Sequence, residues 1–243
     1  MAALALAACS TTAAIELWPV EQTQARPLVD VTLIAGATHD DIADTIQTVA
    51  RAVVSAPGSR VRVIVPSCGP SQPLDETSAE LPTHPRAQPR FVERETDRLA
   101  DRITNALASP LRRPRGVCLA EALAVAASSD ALAEADATHI VIASPLVERS
   151  RFADLERGRL PTLRTLTRRA TAQHLFAPGL LSGIAVHIAA HRPATGASFA
   201  RSEATDALWL ALLDQAGARD VDITTGPPDL DSDLTNTTTD EEE

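Results

Sequence analysis

The chain has 243 residues, 44% of them hydrophobic, a mean hydropathy of -0.02 and a formal net charge of -10. That is enough apolar material for one medium core with tails, which excludes wholesale disorder, and no apolar run reaches the roughly 18 residues of a membrane span. Aromatic residues make up only 2%, with no Tyr, so stacking recognition of single-stranded nucleic acid lacks its rings. All 22 basic residues are Arg, and eight acids with no base lie between Asp222 and Glu243. The remaining body is close to neutral and offers no electrostatic footprint for DNA. An Arg-, Ala- and Pro-rich chain without Lys matches the coding bias of a GC-rich bacterial genome.

Residues 1–9 look like the end of a truncated signal segment. Leu6-Ala7-Ala8-Cys9 resembles a bacterial lipobox, in which small residues let the backbone enter a narrow peptidase and the Cys becomes lipid-modified. Only eight residues precede Cys9 and none is basic, so an incidental Cys in an Ala-rich terminus is the competing reading. A lipid on Cys9 would tether the chain to a membrane without spanning it. It would also leave two cysteines, Cys68 and Cys118, an even number in an oxidising compartment, and make a disulfide between them testable. No CxxC pair occurs, and His187 and His191, four apart on a strand and its exit, are not a helical metal pair, so zinc is not suggested.

Residues 10–27 read as a linker. Val29–Ala35 is short, β-branched and apolar, like a buried strand. Asp40 and Asp41 open a helix carrying Ile42, Ile46, Val49 and Val53 at helical spacing, and Pro57-Gly58 stops it. Val61–Val65 is the next strand, followed by a proline-rich insertion over 66–90 that reads as a long loop. Helical pattern returns over Phe91–Leu107 and again over Leu119–Ala127. His139–Ala143 and Gly183–Ala189 are further strands, separated by a helical segment within Leu163–Phe176. Asp206–Ala216 is a helix containing Trp209, Gly217 marks its end, and Val221–Ile223 is a short last strand. From 224 to 243 the acidic sequence reads as a disordered tail. Short apolar strands alternating with helices predict one three-layer α/β domain over 28–223 with a mainly parallel sheet.

Several sites are excluded by their missing residues. The turn after the first strand, Ala35-Gly36-Ala37-Thr38-His39-Asp40, has one Gly and cannot form a dinucleotide fingerprint. A P-loop lacks its Lys, and Gly-x-Ser-x-Gly is missing.

The order of elements resembles a von Willebrand factor A-like (VWA-like) domain over about residues 28–223. Gly116-Val117-Cys118-Leu119-Ala120-Glu121-Ala122-Leu123 is similar to that family's loop-to-helix segment, and Trp209–Val221 to its closing helix and strand. The resemblance implies a ligand edge at the C-terminal ends of the strands, where the family often binds a divalent cation through Asp-x-Ser-x-Ser, a Thr and an Asp. Those places fall here on Ala35, Ala37 and His39, on Val117 or Cys118, and on Ala143 or Ser144. The hard oxygen ligands are absent, so no metal and no cofactor are expected, and the degenerate edge consists of Thr38, His39, Asp40 and Ser144. The same fold brings Cys68 and Cys118 to that edge, where a bridge would staple the proline-rich loop across it.

Other residues receive plainer readings. His139 and His187, in strands, read as core or edge residues, and His39 as the one histidine at the ligand edge. Arg149, Arg151, Arg157, Arg159, Arg164, Arg168 and Arg169 read as a solvated face with ion pairs to Glu148, Asp154 and Glu156, or as a surface for an acidic partner or anionic lipid. The expectation is a noncatalytic interaction module, lipid-anchored in the bacterial envelope on its periplasmic or extracellular side, with a protein partner and no nucleic acid. The alternative is a small α/β enzyme with a cleft near His39, Asp40 and Ser144.

Overall fold

The structure is a computed structural model, which describes residues 29–36, 40–55, 59–66, 75–80, 89–108, 118–128, 135, 137–190 and 199–230. Six strands, β1 (Val29–Ala35), β2 (Arg60–Val65), β3 (Asp75–Glu80), β4 (Ala137–Ser144), β5 (Ile184–Ala190) and β6 (Asp220–Thr224), form one sheet in the order β3-β2-β1-β4-β5-β6. Five helices join them: α1 (Ala43–Ser55), α2 (Pro89–Leu107), α3 (Leu119–Ala127), α4 (Leu163–Ala172) and α5 (Phe199–Gln215). Every neighbouring pair is parallel except β2 with β3, which is antiparallel. This is the expected α/β class with a mainly parallel sheet.

All residues of β1, β4 and β5 are buried. Parallel strands covered on both faces have no solvent side, so they read as continuous apolar runs and not as alternating ones. One face carries Val31, Leu33, Val61, Val63 and Val141 against Ile46 and Val49 of α1 and Leu99 and Ile103 of α2. The other carries Ile34, Ile64, Ile140, Ile142, Val186 and Ile188 against Leu119 and Leu123 of α3, Leu166 of α4 and Trp209 of α5. At the start of the strands Asp30 is fully buried, held by the Arg60 guanidinium and, at 3.5 Å, by that of Arg62.

Three expectations change. The 66–90 insertion is not all loop: Asp75–Glu80 pairs with β2 from Asp75↔Val65 to Glu80↔Arg60. Its sequence, DETSAE, carries no apolar alternation, because an edge strand is held by main-chain bonds to a single neighbour. Asp40 and Asp41 lie in a turn before α1, and the acid in the helix's first turn is Asp44. The described fold also passes residue 223. β6 runs to Thr224, whose hydroxyl donates to the Gly226 carbonyl at 2.7 Å, and Leu230 is buried in the α1–α2 core. Residues 1–28 and 231–243, with the leader, the linker and the end of the acidic tail, lie outside the described residues.

Candidate functional site at the start of α3

Parallel strands gather the loops that follow them at one edge, and α3 begins there. A Cβ built on Gly36, just after β1, would meet Ser144 Oγ at 2.7 Å and Leu119 Cδ2 at 3.4 Å. The ends of β1 and β4 and the start of α3 are therefore in direct contact, and only Gly fits at position 36. Ser144 is completely buried, and its hydroxyl accepts the Leu146 amide at 3.2 Å. Asp40 is exposed on the turn before α1. Thr38 and His39 fall outside the described residues, so of the expected ligand edge the structure places only Asp40 and Ser144.

The loop after β4 turns back sharply. Leu146 adopts a positive φ of 57° although it is not Gly, a strained conformation that needs support from its surroundings. That support comes from Ser144 on one side and from Trp209, whose fully buried indole donates to the Leu146 carbonyl at 3.2 Å. Phe176 packs edge-on against Trp209, with 6.0 Å between ring centroids. Further along, the Glu148 carbonyl accepts the Leu155 amide at 2.9 Å, and the Arg149 and Asp154 backbones pair in an isolated antiparallel β-bridge.

This turn drives Glu148 beneath α3. Its side chain is 0% exposed, and Oε2 accepts the first amides of the helix, Leu119 at 2.8 Å and Ala120 at 3.2 Å. Such a carboxylate satisfies donors that would otherwise be orphaned and meets the positive end of the helix dipole. The other oxygen, Oε1, is buried without a hydrogen-bond partner, and so is Oε2 of Glu121 in the first turn of α3. Glu148 is pushed up to about 8, by burial first; the Ser150 hydroxyl and the two amides pull it down, and Glu121 pushes it further up. Glu121 is raised as well, again by burial, partly offset by a backbone hydrogen bond. Two carboxyls close together in a dry setting cannot both ionise cheaply.

Cys118, at the N-cap position of α3 and 6% exposed, completes the cluster: its sulfur and the carboxylate oxygens of Glu121 and Glu148 lie within 4.8 Å of one another. Cys118 is disulfide-bonded. Cys9 and Cys68 lie outside the described residues, so the pairing with Cys68 belongs to the proposals below. Sequence reasoning placed Cys118 at this edge but took Glu148 for a surface partner of the Arg cluster. That is corrected. Arg149 and Arg157 meet Glu156, at 3.6 and 3.9 Å, and Asp154 accepts the amides of Glu156 and Arg157. A charged residue just before exposed arginines carries no sequence mark of burial.

A second polar group crosses the opposite face. His187 Nδ1 lies 2.6 Å from Asp222 Oδ1, and His187 Nε2 lies 3.0 Å from His139 Nδ1. The rings stack with centroids 5.3 Å apart. With both rings neutral, His187 donates to Asp222 and accepts from His139, which leaves the buried Nε2 of His139 as an acceptor without a donor. Burial, followed by the fields of His187 and Arg219, pulls His139 down to about 4. Both histidines are core residues, as their strand positions implied, but they are satisfied mainly by each other.

No family model and no curated protein matches this sequence. Among solved structures it is similar to one described as von Willebrand factor type A from Catenulispora acidiphila, at 12% identity and a TM-score of 0.30, over 67% of this chain. The match covers 32% of that chain, so this protein spans about a third of its length. No helix among the described residues is long and apolar enough to cross a membrane.

Proposed function

We propose that this chain is a noncatalytic binding module with a VWA-like domain that lacks the family's metal motif. In this reading a lipid on Cys9 holds it to the bacterial envelope, where it meets a protein partner on the periplasmic or extracellular side. The observation that carries the reading is how the described residues at that edge are packed. Ser144 is sealed against Gly36, and the Glu148 carboxylate caps α3 from within. Groups committed to packing and capping leave the module its surface for recognition. An enzyme built on His39, Asp40 and Ser144 would need the Ser144 hydroxyl at a cleft, and that residue is 0% exposed.

The disulfide of Cys118 is assigned, in the same proposal, to Cys68. Lipidation would occupy Cys9. Cys68 lies three residues past the end of β2, a reach of about 10 Å, and α3 packs against both β1 and β2. The bridge would add about 2–4 kcal/mol. The test is the intact mass, without reductant, of protein expressed from its natural locus with upstream codons. A diacylglyceryl gain on Cys9, with two hydrogens missing across Cys68 and Cys118, is the expected result. An unprocessed N-terminus with three free thiols would overturn the anchor and the bridge together.

A further inference from the structure

We propose that reduction of the Cys118 disulfide opens a divalent-metal site formed by Cys118 Sγ, Glu121 and Glu148, suited to a borderline cation of the zinc class. The three ligand atoms already lie within 4.8 Å of one another. Zinc bonds of about 2.3 Å to sulfur and about 2.1 Å to oxygen place tetrahedral ligand atoms roughly 3.6 Å apart, so the cluster has only to tighten slightly. Glu148 supplies the sign that points to a ligand. The residue is fully buried and fixed through Oε2 by the amides of Leu119 and Ala120, yet its Oε1 has no hydrogen-bond partner, and neither has Glu121 Oε2. Ser150 accepts the Phe152 amide through Oγ and keeps its hydroxyl proton for Glu148, a second fixed donor beside the two amides. A carboxyl fixed by backbone donors, with a ligand oxygen within 4.8 Å of two further ligand atoms, is how an outer shell orients a metal ligand.

The charges explain the gating. Two carboxylates and a thiolate carry three negative charges, which a divalent cation largely neutralises in a place where they otherwise repel one another. A disulfide sulfur has no such charge and is a poor ligand. Opening the bridge takes two electrons and two protons from a dithiol or phosphine reductant and gives two thiols. Cys118 and the Glu148 carboxyl, which burial keeps protonated, then each lose a proton to solvent as sulfur and oxygen bind the metal, and water fills the remaining position. These ligands come from the first turn of α3 and the loop after β4, not from the places implied by the resemblance, and the proposal does not depend on the lipid anchor.

The test uses the full chain with Cys9→Ser. Zinc is competed against a chromogenic chelator for unreduced protein and for protein reduced and then desalted anaerobically. The expected result is one zinc in the reduced state, bound at least about tenfold more tightly than in the oxidised state, with about tenfold losses in reduced Glu148→Gln and Glu121→Gln. Equal affinity in both redox states, or reduced affinity untouched by both substitutions, would overturn it. Should Glu148→Gln fail to fold, the half-buried Glu121→Gln decides, together with cobalt(II) titration. A thiolate-to-cobalt charge-transfer band is expected from reduced Cys68→Ser and must vanish in Cys118→Ser; a band that persists there sinks the assignment.

Discussion

The Glu148 cluster and the His139 chain both bury titratable groups in the core, but they do so with opposite chemistry. At the start of α3, burial holds Glu148 protonated up to about 8. On the other face, burial holds His139 neutral down to about 4. In each place the uncharged form wins, because the local hydrogen bonds do not make up for lost hydration. The two places differ in what is left over. The histidine chain ends in a single unpaired acceptor, His139 Nε2. The carboxyl cluster leaves an oxygen on each of Glu148 and Glu121 without a hydrogen-bond partner, in residues whose ligand atoms lie within 4.8 Å of one another, an arrangement that accepts a proton or a cation. The second region therefore has the makings of a site, while the first is a way of crossing three strands with polar side chains.

The largest effect that would separate the regions comes from Trp209→Ala. It removes a fully buried indole and the donor that holds Leu146, and should cost about 3–5 kcal/mol in denaturant unfolding. The pH response of His139 should persist in that variant, while that of Glu148 weakens as its loop relaxes. An equal change in both would mean that the two regions form one cooperative unit.

Next comes Glu148→Gln. The folded pKa, about 8, lies above the ordinary 4.5, so the folded state binds the extra proton. This contribution is complete below pH 4.5 and is lost as pH rises through 8, by at most about 1.4 kcal/mol per pH unit. The variant should lack that slope, and unfolding curves at pH 5 and pH 8 would show it. An unchanged slope would return Glu148 to the ordinary carboxylate range.

His139→Gln should act with the opposite sign. A folded pKa of about 4 against an ordinary 6.5 gives stability that is complete above pH 6.5 and lost as pH falls through 4. Between 4.5 and 6.5 the two slopes oppose each other, so each is best read as a difference between variant and parent. Failure of the variant to flatten the acid side would show that His139 does not carry the titration.

The smallest effect lies outside both regions. Thr162 caps α4 by accepting the Thr165 amide at 3.3 Å, and Thr162→Ala should cost about 1 kcal/mol at every pH. A pH-dependent loss there would show that the comparison is contaminated by global electrostatics.

By itself the sequence determined the architecture. Apolar runs such as Val29–Ala35 can only be strands covered on both faces, and Leu119–Ala127 is helical through its Ala and Leu content, since these signals are local and periodic. The missing Gly, Lys and Asp-x-Ser-x-Ser residues likewise excluded the phosphate and metal motifs. Tertiary structure alone decided where the polar groups went. β3 has no apolar signal because only pairing with β2 defines it. Glu148 sits among arginines in sequence, and nothing marks its burial until a left-handed Leu146, held by Trp209 from 63 residues away, turns it under α3. The His139–His187–Asp222 line exists only because β4, β5 and β6 are neighbours in the sheet. Burial and pairing are properties of contacts distant in sequence, and a local pattern cannot carry them.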